Sequence, residues 1–299
     1  MLYYNLSEYF RRKYGTRLKK ICIDGGFSCP NRDGRCGVGG CIYCGERGAG
    51  EHIEGALTIG EQVRSALEGA PDNAKFIAYF QNFTNTYAPV SVLKERYDEA
   101  LIDERIVALA IGTRPDCIDE DVCRLLGSYK DRCDVWVELG LQTANDKTAK
   151  IINRGYDLDC FERAISLLKK YEIDVVVHLI VGLPGESIDD VKATAEYIGA
   201  LDLFGIKIHS IYVMRGTRLA EMYEAGEYTP PTLDEFVEGA VYILTHISKK
   251  TVVHRLTGDC PKDALLAPEW NKDKHAVIAK ITEKMEKEGL CQGALKVQS

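Results

Sequence analysis

The sequence contains no long hydrophobic run and no overall excess of positive charge. No apolar stretch approaches the roughly 18 residues that a membrane-spanning helix requires, so we expect no contact with a membrane. The N-terminus lacks the charged start and apolar middle of a signal peptide, which predicts a cytoplasmic protein. The net charge of −7 in 299 residues argues against a globally basic nucleic-acid-binding protein.

A local basic patch near the N-terminus remains compatible with RNA binding. It comprises Arg11, Arg12, Lys13, Arg17, Lys19 and Lys20. Such a run is more often a solvated face than a functional one, but clustered lysine and arginine can also contact phosphate groups.

Cysteine, in contrast, is plentiful. The chain has eleven cysteines, an odd count that favours metal-binding or core roles over disulfides in a reducing compartment. Four of them lie in the glycine-rich stretch 29–44, where Cys41 and Cys44 form a C-x2-C pair and Cys29 stands twelve positions before Cys41. A loop that gathers three sulfurs suits a [4Fe–4S] cluster with one iron left open.

Two alternatives stay open at this point. Cys36 could join the other three cysteines in a closed, structural zinc site. The thiols could also be ordinary core residues, because free cysteine is among the most buried residue types.

Short apolar runs alternate with amphipathic helical patterns along most of the chain. Helix starts are marked by capping boxes at Thr58, Ser187 and Thr232. This alternation predicts a parallel α/β sheet with right-handed crossovers, closed fully or partly into a barrel. The seven predicted strands are 20–23, 75–81, 106–111, 135–141, 173–181, 206–213 and 251–256.

Polar residues recur where these strands end. Ligands of parallel α/β folds bind beyond the carboxyl ends of the strands, so the recurrence predicts one shared polar cleft. Glu138 is the most informative of these residues, because a carboxylate inside an apolar strand needs a partner. Taken singly, His178 or His209 is more often a satisfied core histidine than a ligand.

The motifs in these positions resemble the radical S-adenosylmethionine (radical SAM) superfamily. Within it the chain is similar to the Elongator/MiaB/NifB-like group and its YhcC/YtqA-like small-protein branch. The first loop departs from the common C-x3-C-x2-C spacing, as that branch does, and Cys36 is not part of the branch's pattern. The matching segments are 24–34, 39–44, 79–81, 84–87, 112–116, 138–143, 154–155, 178–186 and 266–268.

The resemblance implies an α/β fold, a partial (β/α)6 TIM-type barrel with a C-terminal helical extension. Residues 1–256 would form the radical SAM core, including the basic N-terminal segment. Residues 257–299 would form a C-terminal cap that belongs to the same structural unit.

The resemblance also implies an enzyme that carries one [4Fe–4S] cluster, held by Cys29, Cys41 and Cys44. The fourth iron would chelate S-adenosylmethionine, and one electron would cleave this cofactor to a 5′-deoxyadenosyl radical that abstracts hydrogen from a substrate. The residues expected to contact S-adenosylmethionine are Gln81, Arg114, Glu138, Gln142, Val181, Gly182 and Ser210. Those expected to contact the substrate are Asn82, Asp116, His178, Tyr212, Arg215 and Arg255.

For the substrate, the resemblance implies tRNA with a C5-substituted wobble uridine, trimmed from carboxymethylaminomethyl to aminomethyl. The basic N-terminal run, expected beside the cysteine loop, is compatible with RNA. Tyr87, Tyr212 and Trp270 could stack an extruded base, although such aromatics are more often cap packing. An electron donor such as flavodoxin or ferredoxin is the expected protein partner. The rival hypotheses are a radical SAM enzyme that acts on a small metabolite or peptide, and a zinc- or cluster-binding scaffold without turnover.

Overall fold

The fold is built on one parallel sheet. The computed structural model describes residues 1–48 and 57–296. The strands are β1 (Leu18–Ile23), β2 (Lys75–Phe80), β3 (Ile106–Thr113), β4 (Asp134–Gln142), β5 (Asp174–Val181), β6 (Gly205–Ser210), β7 (Val213–Met214), β8 (Val252–Arg255) and β9 (Leu265–Ala267). The helices are α1 (Leu6–Tyr14), α2 (Ile59–Leu67), α3 (Val90–Ala100), α4 (Glu120–Gly127), α5 (Asp146–Ile151), α6 (Leu158–Lys170), α7 (Ile188–Ala200), α8 (Arg218–Glu224), α9 (Leu233–His246) and α10 (Lys274–Lys287).

Seven strands form the sheet, in the order β1–β2–β3–β4–β5–β6–β8, and every neighbouring pair is parallel. The sheet is curled, and one hydrogen bond shows this directly. Lys207 on β6 donates at 2.9 Å to the Tyr79 hydroxyl on β2, four strands away. In the described part of the chain β1 and β8 are edges that do not pair with each other, so the barrel is open on one side. The predicted partial α/β barrel is confirmed.

The sixth predicted strand differs from the structure. The run 206–213 divides into β6 and β7, with a break at Ile211 and Tyr212. The break arises because β7 leaves the parallel sheet and pairs antiparallel with β9. The other predicted strands are present, with ends that differ by one or two residues.

The outer face of the sheet carries the main apolar core. On β4, Val135, Val137, Leu139 and Leu141 all belong to this core and alternate with residues that face the barrel interior. The amphipathic helices cover these side chains. The three predicted capping boxes are confirmed at Thr58, Ser187 and Thr232.

Helix α1 closes the bottom of the barrel. Its Phe10 is buried in a separate apolar cluster with the inward-facing residues Ile77, Trp136 and Val176. Lys13 forms an ion pair of 2.6 Å with Asp134, the first residue of β4. The helix therefore lies at the amino ends of the strands.

This position corrects one expectation. The basic run that begins at Arg11 is not beside the cysteine loop, because the loop follows the carboxyl end of β1. The helical part of the run lies at the opposite end of the barrel, since the chain must cross the whole length of β1 between the two. Lys19 and Lys20 lie on that strand itself and are not part of the helix.

The segment after β8 returns across the sheet and packs on α9. Helix α10 contributes Val277, Ile281 and Met285 to the main core, and Lys280 pairs with Asp234 of α9 at 2.8 Å. Trp270 stacks on Phe236 with ring centroids 5.4 Å apart. In the described ranges no helix is long and apolar enough to cross a membrane.

The closure of the barrel by α1 makes a testable prediction about stability. Phe10→Ala should lower the free energy of unfolding by about 3–5 kcal/mol, because it removes a buried aromatic side chain and leaves a cavity among inward-facing residues. The measurement is urea unfolding, with the exposed neighbour substituted in Arg11→Ala as the control, expected within about 0.5 kcal/mol of the native protein. Equal stability of the two variants would show that α1 does not close the barrel.

Candidate active site

A cavity of about 230 Å³ opens at the carboxyl ends of the strands. The cysteine loop forms one wall, and the ends of β2 to β6 form the others. Ten of the residues predicted from the sequence line it: Cys29, Cys41, Cys44, Gln81, Arg114, Glu138, Gln142, His178, Ser210 and Tyr212. The predicted shared polar cleft is therefore present.

The cysteine loop is held in place by the turn after α5. The Ile42 amide donates to the Ile152 carbonyl at 3.1 Å, and the Asn153 side chain donates to the Gly40 carbonyl at 2.7 Å. Asn31, which is wholly buried, donates in return to the Asn153 carbonyl at 2.6 Å. Asn153 has a positive φ of 52°, a conformation that asparagine tolerates better than most residues.

Arg154 fixes that turn to the barrel. Its buried guanidinium donates to the carbonyls of Leu141 and Thr143, both at 2.7 Å, and pairs with Asp146 at 3.1 Å. The turn is thereby locked to the end of β4, and through Asn153 it sets the path of the cysteine loop.

The surroundings of the three thiols predicted as ligands bear on how readily these thiols lose their protons and bind a metal. The Cys44 thiol donates to Cys41 and, against the opposing effect of burial, lowers the pKa of Cys41 to about 6. Asn31 also points its amide at the Cys41 sulfur, 3.8 Å away. Because the thiolate is the form that binds metals, this environment favours ligation by Cys41, whereas the same bond and burial raise the pKa of Cys44.

Cys36 lies apart from that set. Its sulfur is 3.5 Å from the Arg114 guanidinium and 3.7 Å from the Asp116 carboxylate. No three histidine, cysteine or acidic side chains within residues 1–48 and 57–296 come together closely enough to bind a single metal ion. Within the described residues the four cysteines of the loop therefore do not form a zinc site.

Arg114 faces the cavity but is already anchored. It makes a bidentate ion pair with Asp116, at 2.9 and 2.8 Å, and donates to the Arg154 carbonyl at 2.9 Å. Its guanidinium also lies over the Tyr156 ring, 4.7 Å from the centroid. Asp116, predicted as a substrate contact, thus serves to orient Arg114.

Three predicted adenosine contacts occupy different settings. Ser210 lines the cavity and donates to the Asn271 side chain at 2.6 Å. Val181 and Gly182 border a neighbouring groove instead. Their carbonyls are engaged, since Val181 accepts from the Ile211 amide at 3.0 Å and Gly182 from the Tyr228 hydroxyl at 2.5 Å.

Glu138 is the centre of a buried polar layer that crosses the barrel. It is 1% exposed and accepts from the Tyr79 hydroxyl at 2.8 Å, from Trp136 at 3.3 Å and from Lys207, and it lies 2.8 Å from His178. These partners come from β2, β4, β5 and β6. The carboxylate expected to contact S-adenosylmethionine is thus surrounded by groups of the protein.

The charges in this layer influence one another strongly. Burial by itself would raise the pKa of Glu138, but Lys207 and His178 hold it well below its usual value. Burial lowers the pKa of Lys207 to about 7 despite the attraction of Glu138. Burial likewise lowers the pKa of His178 to about 4, so this imidazole is neutral near pH 7.

The remaining predicted substrate contacts are scattered. Asn82 is buried and donates to Asp24 at 3.0 Å, outside the cavity. Arg215 is exposed after β7, and Arg255 forms an ion pair of 3.5 Å with Asp259. Among the aromatics, Tyr212 lines the cavity, whereas Trp270 belongs to the packing of the C-terminal segment.

Sequence reasoning missed four residues that shape the site: Asn31, Asn153, Tyr156 and Lys207. Lys207 had a usable signal, since a lysine between Ile206 and Ile208 interrupts an apolar strand as Glu138 does. The role of Asn153 had no such signal, because it depends on a contact between segments more than a hundred residues apart.

The turn after α5 generates a prediction about metal retention. Asn153→Gly keeps the positive φ without strain but removes the bonds that the Asn153 side chain donates to the Gly40 and Val38 carbonyls of the cysteine loop. After anaerobic reconstitution with iron and sulfide, this variant should release iron to a chelator several-fold faster than the native protein. Asn73→Gly, in an exposed loop before β2, is the matched control. Identical release rates in all three proteins would show that Asn153 does not hold the loop.

Comparison with known proteins places these features in context. Residues 32–198 match the family model of the radical SAM superfamily, and residues 203–287 match the model of the Radical_SAM C-terminal domain. The protein YtqA of Bacillus subtilis (strain 168), itself described as uncharacterized, is 38% identical over 295 residues, which cover 97% of this chain and 92% of YtqA.

More distant relatives carry functional names. The tRNA uridine(34) acetyltransferase of Methanocaldococcus infernus is 32% identical over 190 residues, which cover 62% of this chain but 34% of that protein. Among solved structures, the archaeal Elp3 of M. infernus superposes with a TM-score of 0.67 at 26% identity, over 79% of this chain and 60% of that one.

Proposed function

This chain belongs to the radical SAM superfamily, and we propose that it uses a [4Fe–4S] cluster on Cys29, Cys41 and Cys44 to modify tRNA. The superfamily binds this cluster and S-adenosylmethionine. The observation that carries the proposal is the convergence of the three thiols with polar strand ends at one cavity.

The cluster fits the residues at the cavity mouth. Three thiols line one wall, a fourth is turned away toward Arg114, and the loop between them is fixed by Asn31 and Asn153. When bound, the cluster supplies the electron that cleaves S-adenosylmethionine to methionine and a 5′-deoxyadenosyl radical. Three protein ligands leave one iron open for this cofactor.

The other walls suit the polar groups of S-adenosylmethionine. We assign Gln81 to the methionine ammonium and Gln142 to the ribose hydroxyls, because both side chains line the cavity. Arg114 faces the same space and can attract the methionine carboxylate while Asp116 holds its orientation. Glu138 also lines the cavity, and its contacts with Tyr79, His178 and Lys207 order the layer beneath these side chains. Enclosure by the strands keeps water from the radical.

The finer substrate assignment is a C5-substituted wobble uridine, trimmed from carboxymethylaminomethyl to aminomethyl. Support comes from the relatives named for tRNA uridine(34), one of which matches 62% of this chain. Acetyl transfer is not part of the proposal, since the match covers about a third of those proteins. Tyr212, which lines the cavity, is suited to stack an extruded base.

A small reducing protein would complete the reaction. We propose flavodoxin or ferredoxin as the electron donor, because either can deliver single electrons. All eleven cysteines are free thiols, in keeping with a reducing cytoplasm.

The ligand assignment predicts the behaviour of Cys36. Because its sulfur faces Arg114 and Asp116, Cys36→Ala should still bind about four irons per chain after anaerobic reconstitution. Cys41→Ala, which removes a proposed ligand from the same loop, should lose most of the iron. Iron and sulfide analysis with absorption spectra provides the measurement. Loss of iron from Cys36→Ala to the level of Cys41→Ala would contradict the three-ligand assignment.

The position of the basic residues predicts how tRNA binds. Arg35, Arg215 and Arg218 are exposed beside the cavity mouth, where the Leu219 amide of α8 bonds the Ile42 carbonyl of the cysteine loop. Changing these three arginines to serine should lower the salt slope of tRNA binding by roughly 0.7–0.9 for each phosphate group that the variant no longer binds.

The matched control replaces three arginines at the other end of the barrel, Arg11, Arg12 and Arg17, with serine. Its salt slope should equal that of the native protein, because tRNA engages the mouth. A reduced slope in this control and an unchanged slope in the mouth variant would place tRNA on α1 instead. No salt-dependent tRNA binding by the native protein would favour a small metabolite or peptide as the substrate.

A further inference from the structure

The open side of the barrel carries more positive than negative charge. Lys20 on β1, Lys207 on β6 and Arg255 on β8 lie within the layer that contains Glu138, and Lys207 and Arg255 occupy paired positions of neighbouring strands. The carboxylates they face are Glu138 and, on the rim, Asp259. Asp259 is shared with Lys274, so these cations exceed the carboxylates available to them.

Lys20 is the cation whose positive charge is least compensated by nearby carboxylates. No described carboxylate lies within ion-pair distance of its ammonium group, which rests over the Tyr79 ring, 5.2 Å from the centroid. Its side chain is exposed through the gap between the edge strands β1 and β8. Residues 4–5 cover β8 at Val253, below this point, so the gap remains open beside Lys20 and Arg255.

The neighbouring neutral side chains add no negative charge to this cluster. Burial lowers the pKa of His178 and of His209, so both imidazoles are neutral near pH 7. Burial raises the pKa of the Cys22 thiol, the next inward-facing residue of β1. Repulsion from Lys20 and Arg255 adds to the burial that lowers the pKa of Lys207. A cluster of like charges that is partly enclosed in this way is stabilised by an anion.

We propose that Lys20, with Lys207 and Arg255 behind it, binds a carboxylate group of the substrate at the open side of the barrel. The proposal rests on the proposed function, and it makes a carboxylate-bearing uridine side chain the group that is recognised. Tyr79 connects the two sites, since its ring lies under Lys20 and also lines the cavity assigned to S-adenosylmethionine.

The test removes the charge of Lys20 and keeps its length. Lys207 is a poor target, because its loss would leave Glu138 buried without its cation. Lys20→Met is compared with Lys19→Met, the adjacent residue on the opposite face of the same strand. The assay measures binding of two otherwise identical tRNAs, with a carboxymethylaminomethyl or an aminomethyl group on the wobble uridine.

The native protein and Lys19→Met should bind the carboxylate-bearing tRNA about tenfold more tightly than the other, and Lys20→Met should bind both equally. Equal loss of affinity for both tRNAs in Lys20→Met would overturn the proposal, because it would make Lys20 a contact to backbone phosphate. An unchanged preference in Lys20→Met would overturn it as well.

A second measurement separates this proposal from the tRNA assignment. Carbon-13-labelled acetate, titrated at constant ionic strength, should show saturable line broadening with the native protein and with Lys19→Met but not with Lys20→Met. Acetate binding without tRNA binding would support the anion site and overturn the tRNA assignment. If the native protein binds tRNA tightly but does not broaden the acetate line, the anion site is overturned and the tRNA assignment stays intact.

Discussion

The structure depends on one buried charge, the carboxylate of Glu138. A carboxylate without solvent is costly unless it is paired and hydrogen-bonded, and its partners here come from four different strands. Lys207 and Tyr79 can meet it together because the sheet curls until β6 and β2 face each other. The ion pair is therefore a constraint on the curvature of the barrel as well as a contribution to its interior.

This polar layer separates a packed lower part of the barrel from an upper part that contains the cavity. Below it, Phe10 and the inward-facing apolar residues close the amino end, so the interior is packed there. Above it, the strand ends and the cysteine loop enclose a cavity that suits an adenosyl cofactor beside a cluster. The turn that contains Asn153 and Arg154 belongs to this upper part, since it bonds to the carboxyl end of β4 and to the cysteine loop.

The sequence allowed the sheet, the helix starts and the cavity-lining strand ends to be predicted, because hydrophobic periodicity and capping boxes are local signals. Side-chain pairing across the barrel could not be predicted in the same way. Lys207 meets Glu138 only after the sheet has curled, and Cys36 turns to Arg114 only in the folded loop. The distance of Arg11 from the cysteine loop was equally hidden, because nearness in sequence concealed a strand that spans the barrel.

The central claim is that the cavity holds S-adenosylmethionine beside a cluster on three cysteines and cleaves it. The most direct measurement is the yield of 5′-deoxyadenosine from the reconstituted, chemically reduced protein, with Cys29→Ala treated in parallel. We expect 5′-deoxyadenosine from the native protein and none from Cys29→Ala. A native protein loaded with about four irons that yields no 5′-deoxyadenosine, or a Cys29→Ala variant that yields as much as the native protein, would contradict the account.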